Sequence, residues 1–378
     1  MNLASLFYQH LCQHYPGLKN DLPMDAISPQ LLSPHKVELS DSHFKKIESI
    51  IDAFETLRSQ PSYLSWLEKT YGPLFIPGNR GVFMSYDFHV TNENELKLIE
   101  INTNASFLGL GYEFAKMQNI PWNQNFKLTD LKKCFENELL LAGHSTELKS
   151  IHIVDENPAE QKLYAEFLLY REAFKQMGIS CEIQDVSGVT AADIIYNRST
   201  DFYLKEQKSN TLKDLYQNKK SVLSPHPFEY QALADKENFI HWTQASFWET
   251  VTIDSDTKSL ILGCLPKTTL LTTENKEEIW AQRKNLFFKP KNSFGSKMSY
   301  KGASISKKVF EDLLSVEALA QELVTPAEVQ TTQQSYKYDL RCYAYKNQFQ
   351  GCMARLYQGQ VTNLRTEGGG FATVIRAP

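Results

Sequence analysis

Between residues 41 and 58 the apolar positions Phe44, Ile47, Ile50, Ile51 and Phe54 recur at spacings of three and four, as one buried helix face requires. Residues 1–70 as a whole read as helical. Beyond residue 80 the period shortens. Residues 81–90 (GVFMSYDFHV) and Leu96–Asn102 (LKLIEIN) are short runs of strand formers, and the polar stretch 91–95 (TNENE) between them predicts a hairpin. A second pattern opens near residue 149. Ser150–Asp155 (SIHIVD) reads as a strand and 158–177 as a helix with Leu163, Phe167, Leu168 and Phe174 on one side and Gly178 as its stop. Residues 181–186 and 193–197 then read as strands, which predicts an open α/β sheet, parallel in part. From 258 onward strands are expected to dominate: SLILGCL, NLFFKP, then 339–345 and 350–356 with Asn347 in the turn between them. Three segments result: 1–145 with the N-terminal helices and first hairpin, 146–255 as an α/β domain, and 256–378.

Composition narrows the function classes. The 378 residues are 42% hydrophobic and 22% charged, enough apolar material for a sizeable core. A net charge of -4 lacks the broad basic face that nucleic acid demands, while leaving room for local basic pockets. No apolar run approaches the ~18 residues needed to span a bilayer, and the opening stretch has neither a basic n-region nor a long apolar h-region. The six cysteines are scattered without a CxxC pair, which points to reduced thiols and a cytoplasmic setting.

Three constellations carry candidate chemistry. On the first hairpin Glu100 and Asn102 are two apart, so both project from one strand face, and the turn brings Asp87 across from them. Two carboxylates and an amide oxygen suit Mg²⁺, which takes few protein oxygens and completes its shell with phosphates; the plainer alternative is an exposed acidic strand face. In FFKPKNSFGSKMS, Lys289 ends an apolar run and a loop with Gly295 and Ser296 follows, a setting in which amides and a lysine can hold phosphate. It is neither a P-loop nor a GxGxxG loop. Near the C-terminus Arg341 and Arg355 sit on an inferred hairpin and Arg365 on the loop beyond, before Gly368, Gly369 and Gly370. Guanidinium forks there would bind phosphate or carboxylate; the alternative is surface arginines on a slack turn. His10 and His14, with Cys12 between them, have the i, i+4 spacing of zinc ligands but no third ligand nearby in sequence, and read as a packed or surface helix face.

Together these stretches resemble the ATP-grasp superfamily. LKLIEINTNAS is similar to its Glu-x-Asn metal motif, with Asp87 where the family has an aspartate ligand. LFFKPKNSFGSK resembles its lysine strand and phosphate-covering loop, ALAQELV (318–324) its adenine-binding hinge, and DLR and MARLYQG its phosphate-facing arginine strands. Glu100 precedes Lys289, the reverse of the common order, so the chain resembles the circularly permuted type seen in eukaryotic glutathione synthetases. IEINTNASFLGLG and LRTEGGGFATV are similar to stretches of that family. Met84, Ser85 and Tyr86 stand where that family carries an arginine, and Asn292 or Ser293 where it carries an acidic metal ligand.

The resemblance implies an ATP-grasp fold with an open α/β substrate domain, and an ADP-forming carboxylate–amine ligase that works through an acyl phosphate. Mg²⁺ would lie on Asp87, Glu100 and Asn102. ATP would be held by Lys289 and Lys276, by the Gly295–Ser296 loop and by the hinge residues Gln321, Glu322, Leu323 and Val324. Arg355 and Arg341 would neutralise developing charge. Arg198, Ser106, Asn363, Arg365 and Gly368–Gly370 would bind an amino-acid or peptide-like substrate, with the loops 292–300 and 366–372 as flexible lids. A homodimer is common for that type. The alternatives are a phosphotransferase without an amine acceptor, and a nucleotide-binding regulatory protein that has lost catalysis.

Overall fold

The computed structural model describes residues 2–123, 125–144, 147–291, 298–332 and 334–377. In chain order its strands are β1 (Leu32–Ser40), β2 (Met84–Val90), β3 (Leu96–Asn102), β4 (Ser150–Asp155), β5 (Ser180–Asp185), β6 (Ile194–Asn197), β7 (Val222–Ser224), β8 (Thr268–Leu270), β9 (Leu286–Pro290), β10 (Tyr300–Lys301), β11 (Ala318–Glu322), β12 (Glu328–Gln330), β13 (Ser335–Tyr345), β14 (Gln348–Tyr357) and β15 (Gly370–Ala377). They form three sheets in a mixed α/β fold. The largest runs β1-β15-β14-β13-β2-β3 with β12 alongside β13, a small antiparallel sheet runs β10-β9-β11-β8, and a parallel sheet runs β5-β4-β6-β7.

The large sheet joins the two ends of the chain, since β13 pairs with β2 and β15 pairs in parallel with β1. Two-residue periodicity sorts its side chains by chemistry. Tyr86 and Phe88, Leu340, Cys342 and Ala344, and Cys352, Ala354 and Leu356 enter one core, packed with Phe44, Ile47, Ile50, Ile51 and Phe54 of the helix Asp41–Ser59. The alternate positions Ser85, Asp87, Asp339, Arg341 and Arg355 therefore share the opposite face. In β3 a slip in register falls between the pairs Asp87↔Glu100 and Phe88↔Leu98, leaving Ile99 as the extra residue of a bulge. The bulge lets Leu96, Leu98 and Ile101 all reach the core while Glu100 and Asn102 stay on the charged face. The doubled apolar pair in LKLIEIN is its trace in the sequence.

Two expectations change. Strand β1 lies inside the stretch read as helical; its pairing partner is more than 330 residues away, so no local pattern announces it. SLILGCL falls in the helix Ser255–Cys264, where the Asp254 carboxylate accepts from Thr257 N at 2.9 Å as an N-cap. A short apolar run does not distinguish helix from strand, and the cap decides it. In the parallel sheet the helix expected over 158–177 runs Tyr164–Gln176 and links β4 to β5, while β6 adds on the other side of β4. The strand order changes direction between β4 and β6, the position at which open α/β sheets bind ligands. Among the described residues no helix is long and apolar enough to cross a membrane.

Candidate active site

The charged face of the large sheet is built around Asp87. Register sets Asp87 opposite both Arg341 and Glu100, and Asp339 opposite Arg355. Arg341 grips the Asp87 carboxylate with two donors, Nε to Oδ1 at 3.1 Å and Nη2 to Oδ2 at 2.7 Å. Arg355 Nη2 donates to Oδ2 at 2.7 Å, and Ser85 Oγ donates to Oδ1 at 3.0 Å. These four donors occupy the roughly four lone-pair sites that a carboxylate offers. Asp87 is 1% exposed; burial opposes its ionisation, but Arg341 and Arg355 outweigh it and hold the carboxyl well below the usual range. Asp87, expected as a metal ligand, is here paired with two guanidiniums. Arg355 also donates through Nε to Asp339 at 2.6 Å, and Thr362 Oγ1 donates to the other oxygen of Asp339. Burial works against the Arg355 cation, and Asp339 and Asp87 overcome it, so its pKa is raised.

Glu100 and Asn102 are the partly exposed oxygen donors beside this cluster. The Asn102 amide nitrogen faces Ser85 Oγ, Asp87 Oδ2 and Glu100 Oε1, each at 3.4 Å. Such long contacts are weak. A carboxylate plus an amide oxygen fits a Mg²⁺ ion that keeps water or phosphate in its remaining positions.

The small sheet brings Lys289 against this edge. Its ammonium donates to the carbonyl of Ile99, the bulge residue, at 3.2 Å and to Gln321 Oε1 at 2.9 Å. Gln321 is in turn oriented through Nε2 by Thr268 Oγ1 at 3.1 Å. Burial pushes the Lys289 pKa down to about 8, only partly offset by Glu100, and Lys236 adds repulsion. Lys236 feels Glu100 as well, and burial lowers its pKa. A second lysine thus flanks the Glu100 carboxylate. Lys276 stands instead at the first turn of the helix Lys276–Gln282, with no described hydrogen bond or ion pair to this cluster. In the hinge, the amides of Glu322 and Leu323 already donate to Lys267 O at 2.8 Å and Asn285 O at 2.9 Å, and Val324 O accepts from His89 Nδ1 at 3.0 Å. An adenine ring there would need other main-chain groups or an exchange of partners. Gly295 and Ser296 lie outside the described residues.

The parallel sheet supplies the other wall. Arg198 follows β6, and Asn104, two residues beyond Asn102, donates to the carbonyls of Arg198 and Ser199 at 3.3 Å each. Among the described residues the Arg198 Nε and Nη1 groups are buried with no hydrogen-bond partner within range, the guanidinium lies 5.7 Å from the Phe167 ring centroid and 5.8 Å from that of Tyr196, and Tyr196, Glu166 and Asp155 favour its charge. The nearby Asp201 accepts from the amides of Lys205 and Glu206. Ser106 is half-buried and its carbonyl accepts from Tyr343 OH at 2.9 Å. Asn363 organises its own loop, donating to Gln358 O at 2.9 Å and accepting from Arg365 N at 3.0 Å, and the Arg365 side chain is exposed. The glycine run is closely packed. A Cβ on Gly369 would lie 2.5 Å from Leu356 O and one on Gly370 2.5 Å from Gln30 O, so these glycines serve close backbone approach.

Sequence reasoning passed over Lys236, Thr268, Asp339 and Thr362. Asp339 had a signal, lying two before Arg341 on one strand and so on its face; the other three had none, because their roles depend on contacts between elements distant in the chain.

No protein-family model matches the chain, and no curated protein matches it. Among solved structures it is similar to a provisionally named gamma-glutamylcysteine synthetase from Methylobacillus flagellatus KT, at 12% identity over 85% of this chain and 86% of that one, with a TM-score of 0.47. It is also similar to the ATP-grasp ligase PsnB complexed with a minimal precursor, at 12% identity over 58% of this chain and 80% of that one, with a TM-score of 0.31. Likenesses this distant leave function to be argued from the side-chain geometry.

Proposed function

We propose that the protein is an ATP-dependent, ADP-forming ligase of the ATP-grasp type, circularly permuted, that joins a carboxylate to an amine. One observation carries the reading: Lys289, a half-buried lysine late in the chain, meets the carbonyl beside Glu100 on a strand formed early in the chain, next to a second lysine and two arginines. Burial lowers the pKa of both Lys289 and Lys236, and a polyphosphate is an anion that would favour their charged forms. Lys289 and Lys236 would bind the phosphates, together with Lys276, which the family resemblance implies beside Lys289. Glu100 and Asn102 would hold a Mg²⁺ ion, which when bound neutralises phosphate charge. Asp87 and Asp339 would fix Arg341 and Arg355 so that the guanidiniums meet charge as it develops, without reorganisation.

On this reading a substrate carboxylate oxygen attacks the γ-phosphorus and the bond to ADP breaks. The amine then attacks the acyl carbon, phosphate leaves with the C–O electron pair, and the amine proton passes to solvent. Arg198, with two buried N–H groups that lack a hydrogen-bond partner among the described residues, is suited to grip a carboxylate of an amino-acid or peptide-like substrate. Arg365, Ser106, Asn363 and Gly368–Gly370 would complete that side.

The test is ADP release measured against a panel of carboxylates with and without amines. A strict amine requirement supports the ligase. Release with carboxylate alone makes the protein a phosphotransferase, and nucleotide binding without release makes it a regulatory binder. Glu100→Gln is expected to abolish the substrate-dependent release; retained turnover would remove Glu100 from the reaction.

A further inference from the structure

The geometry points to a second metal site, unrelated to the nucleotide cleft, in which His10, His14 and Glu113 bind a zinc-class divalent ion and clip the N-terminal helix to the helix that follows β3. The N-terminal helix runs Leu3–His14, so the i, i+4 spacing sets both imidazoles on one face, with ring centroids 4.2 Å apart. The third ligand that the sequence could not supply arrives from the helix Leu108–Met117. Its Glu113 lies against the pair, with Oε2 2.8 Å from His10 Nε2. One donor atom from each of the three residues lies within 4.8 Å of the other two. A tetrahedral ion with bonds of ~2.0–2.2 Å needs its donors about 3.5 Å apart, so a small rotation of the exposed His14 ring closes the set.

The surroundings already have the form of an outer shell. His14 Nδ1 lies 2.9 Å from the His10 carbonyl, which can only accept. The neutral ring therefore carries its proton on Nδ1 and leaves the Nε2 lone pair for a metal. Orientation of a ligating histidine by a backbone carbonyl is the common arrangement. The other Glu113 oxygen accepts from Tyr15 OH at 2.8 Å, which fixes the carboxylate from behind. Glu113 is fully buried, contacts His10 through Oε2, and has the Lys116 ammonium at 3.5 Å. Lys116 is half-exposed and can swing away when a dication sits between His10 and Glu113. Two imidazoles and one carboxylate favour Zn²⁺, Co²⁺ or Ni²⁺ over Mg²⁺ or Ca²⁺, and the exposed side at His14 leaves a position for water.

The experiment titrates chelator-treated full-length protein with Co²⁺ and follows visible absorption. The expected result is one equivalent giving the intense bands of a four- or five-coordinate site with nitrogen donors, displaced by Zn²⁺ and untouched by Mg²⁺. His14→Ala changes an exposed side chain and should fold as wild type, checked by circular dichroism, yet weaken Co²⁺ binding at least tenfold. His10→Gln should do the same. Glu100→Gln should leave the Co²⁺ spectrum unchanged, so failure of this site and failure of the proposed ligase are separable. If wild type gives only the weak spectrum of an octahedral oxygen site, if His14→Ala titrates like wild type, or if Glu100→Gln removes the bands, the site is refuted.

Discussion

Asp87 and its two arginines are the residues whose loss costs most. Removing one partner from a buried ion cluster leaves uncompensated charge, a penalty of about 3–5 kcal/mol. Asp87→Asn should therefore lower stability in chemical denaturation by that order at neutral pH. The sign with pH follows from the depressed pKa: the Asp87 contribution is present above the unfolded value near 3.9 and is lost as pH falls toward the folded value. The gap between wild type and Asp87→Asn should narrow below about pH 4, and a constant gap would mean that the cost is steric. Lys289 makes the opposite kind of prediction. With its pKa pushed down to about 8 it is charged at neutral pH and loses its proton above that value. ATP affinity should be greatest below pH 8 and fall above it. Lys289→Met should weaken binding by tenfold or more, equivalent to one charge-assisted contact of about 1.5–3 kcal/mol, and flatten that dependence. Isothermal titration across pH 6.5–9.5 reads both effects.

At the scale of elements, the β3 bulge and the glycine run do the positioning. The bulge at Ile99 gives one strand two allegiances, with Leu96, Leu98 and Ile101 to the core and Glu100 and Asn102 to the charged face, and it supplies the carbonyl that Lys289 reaches. Gly370 opens β15 at φ +99, where a Cβ would crowd the Gln30 carbonyl. Gly370→Ala should cost about 1–3 kcal/mol through strain and collision, read as a lowered Tm. If Tm is unchanged, the turn into β15 is slack and the glycines act as a lid after all. The helix Leu108–Met117 is fixed at its start by Glu166, whose carboxylate accepts from Phe107 N at 2.7 Å and Gly109 N at 3.1 Å. Burial raises the Glu166 pKa in spite of these bonds. This cap holds the segment between Asn102 and Glu113 in place.

At the scale of the molecule, three polar contacts among the described residues tie the large sheet to the small antiparallel sheet and the segment that follows it. Lys289 bonds Ile99 O, His89 bonds Val324 O, and Ala327 N donates to Val90 O at 2.7 Å. A ligand seated between the sheets would add contacts to both. ATP with Mg²⁺ should slow hydrogen exchange in β9 and β11 more than in the parallel sheet β4–β7, measured by mass spectrometry; equal protection everywhere would place the nucleotide elsewhere.

Hydrophobic period alone determined much of this protein: the helix Asp41–Ser59, the β2–β3 hairpin, the β4–helix–β5–β6 alternation, and the strand faces carrying Glu100 with Asn102. These are local facts, fixed by which side chains repeat every two or every 3.6 residues. Only tertiary structure decided that Asp87 would pair with Arg341 and Arg355, that Lys236 would come near Glu100, that β1 would pair with β15, and that Glu113 would reach His10. Each of these depends on the approach of groups far apart in the chain, where desolvation and Coulomb attraction set the outcome and sequence spacing carries no information about either.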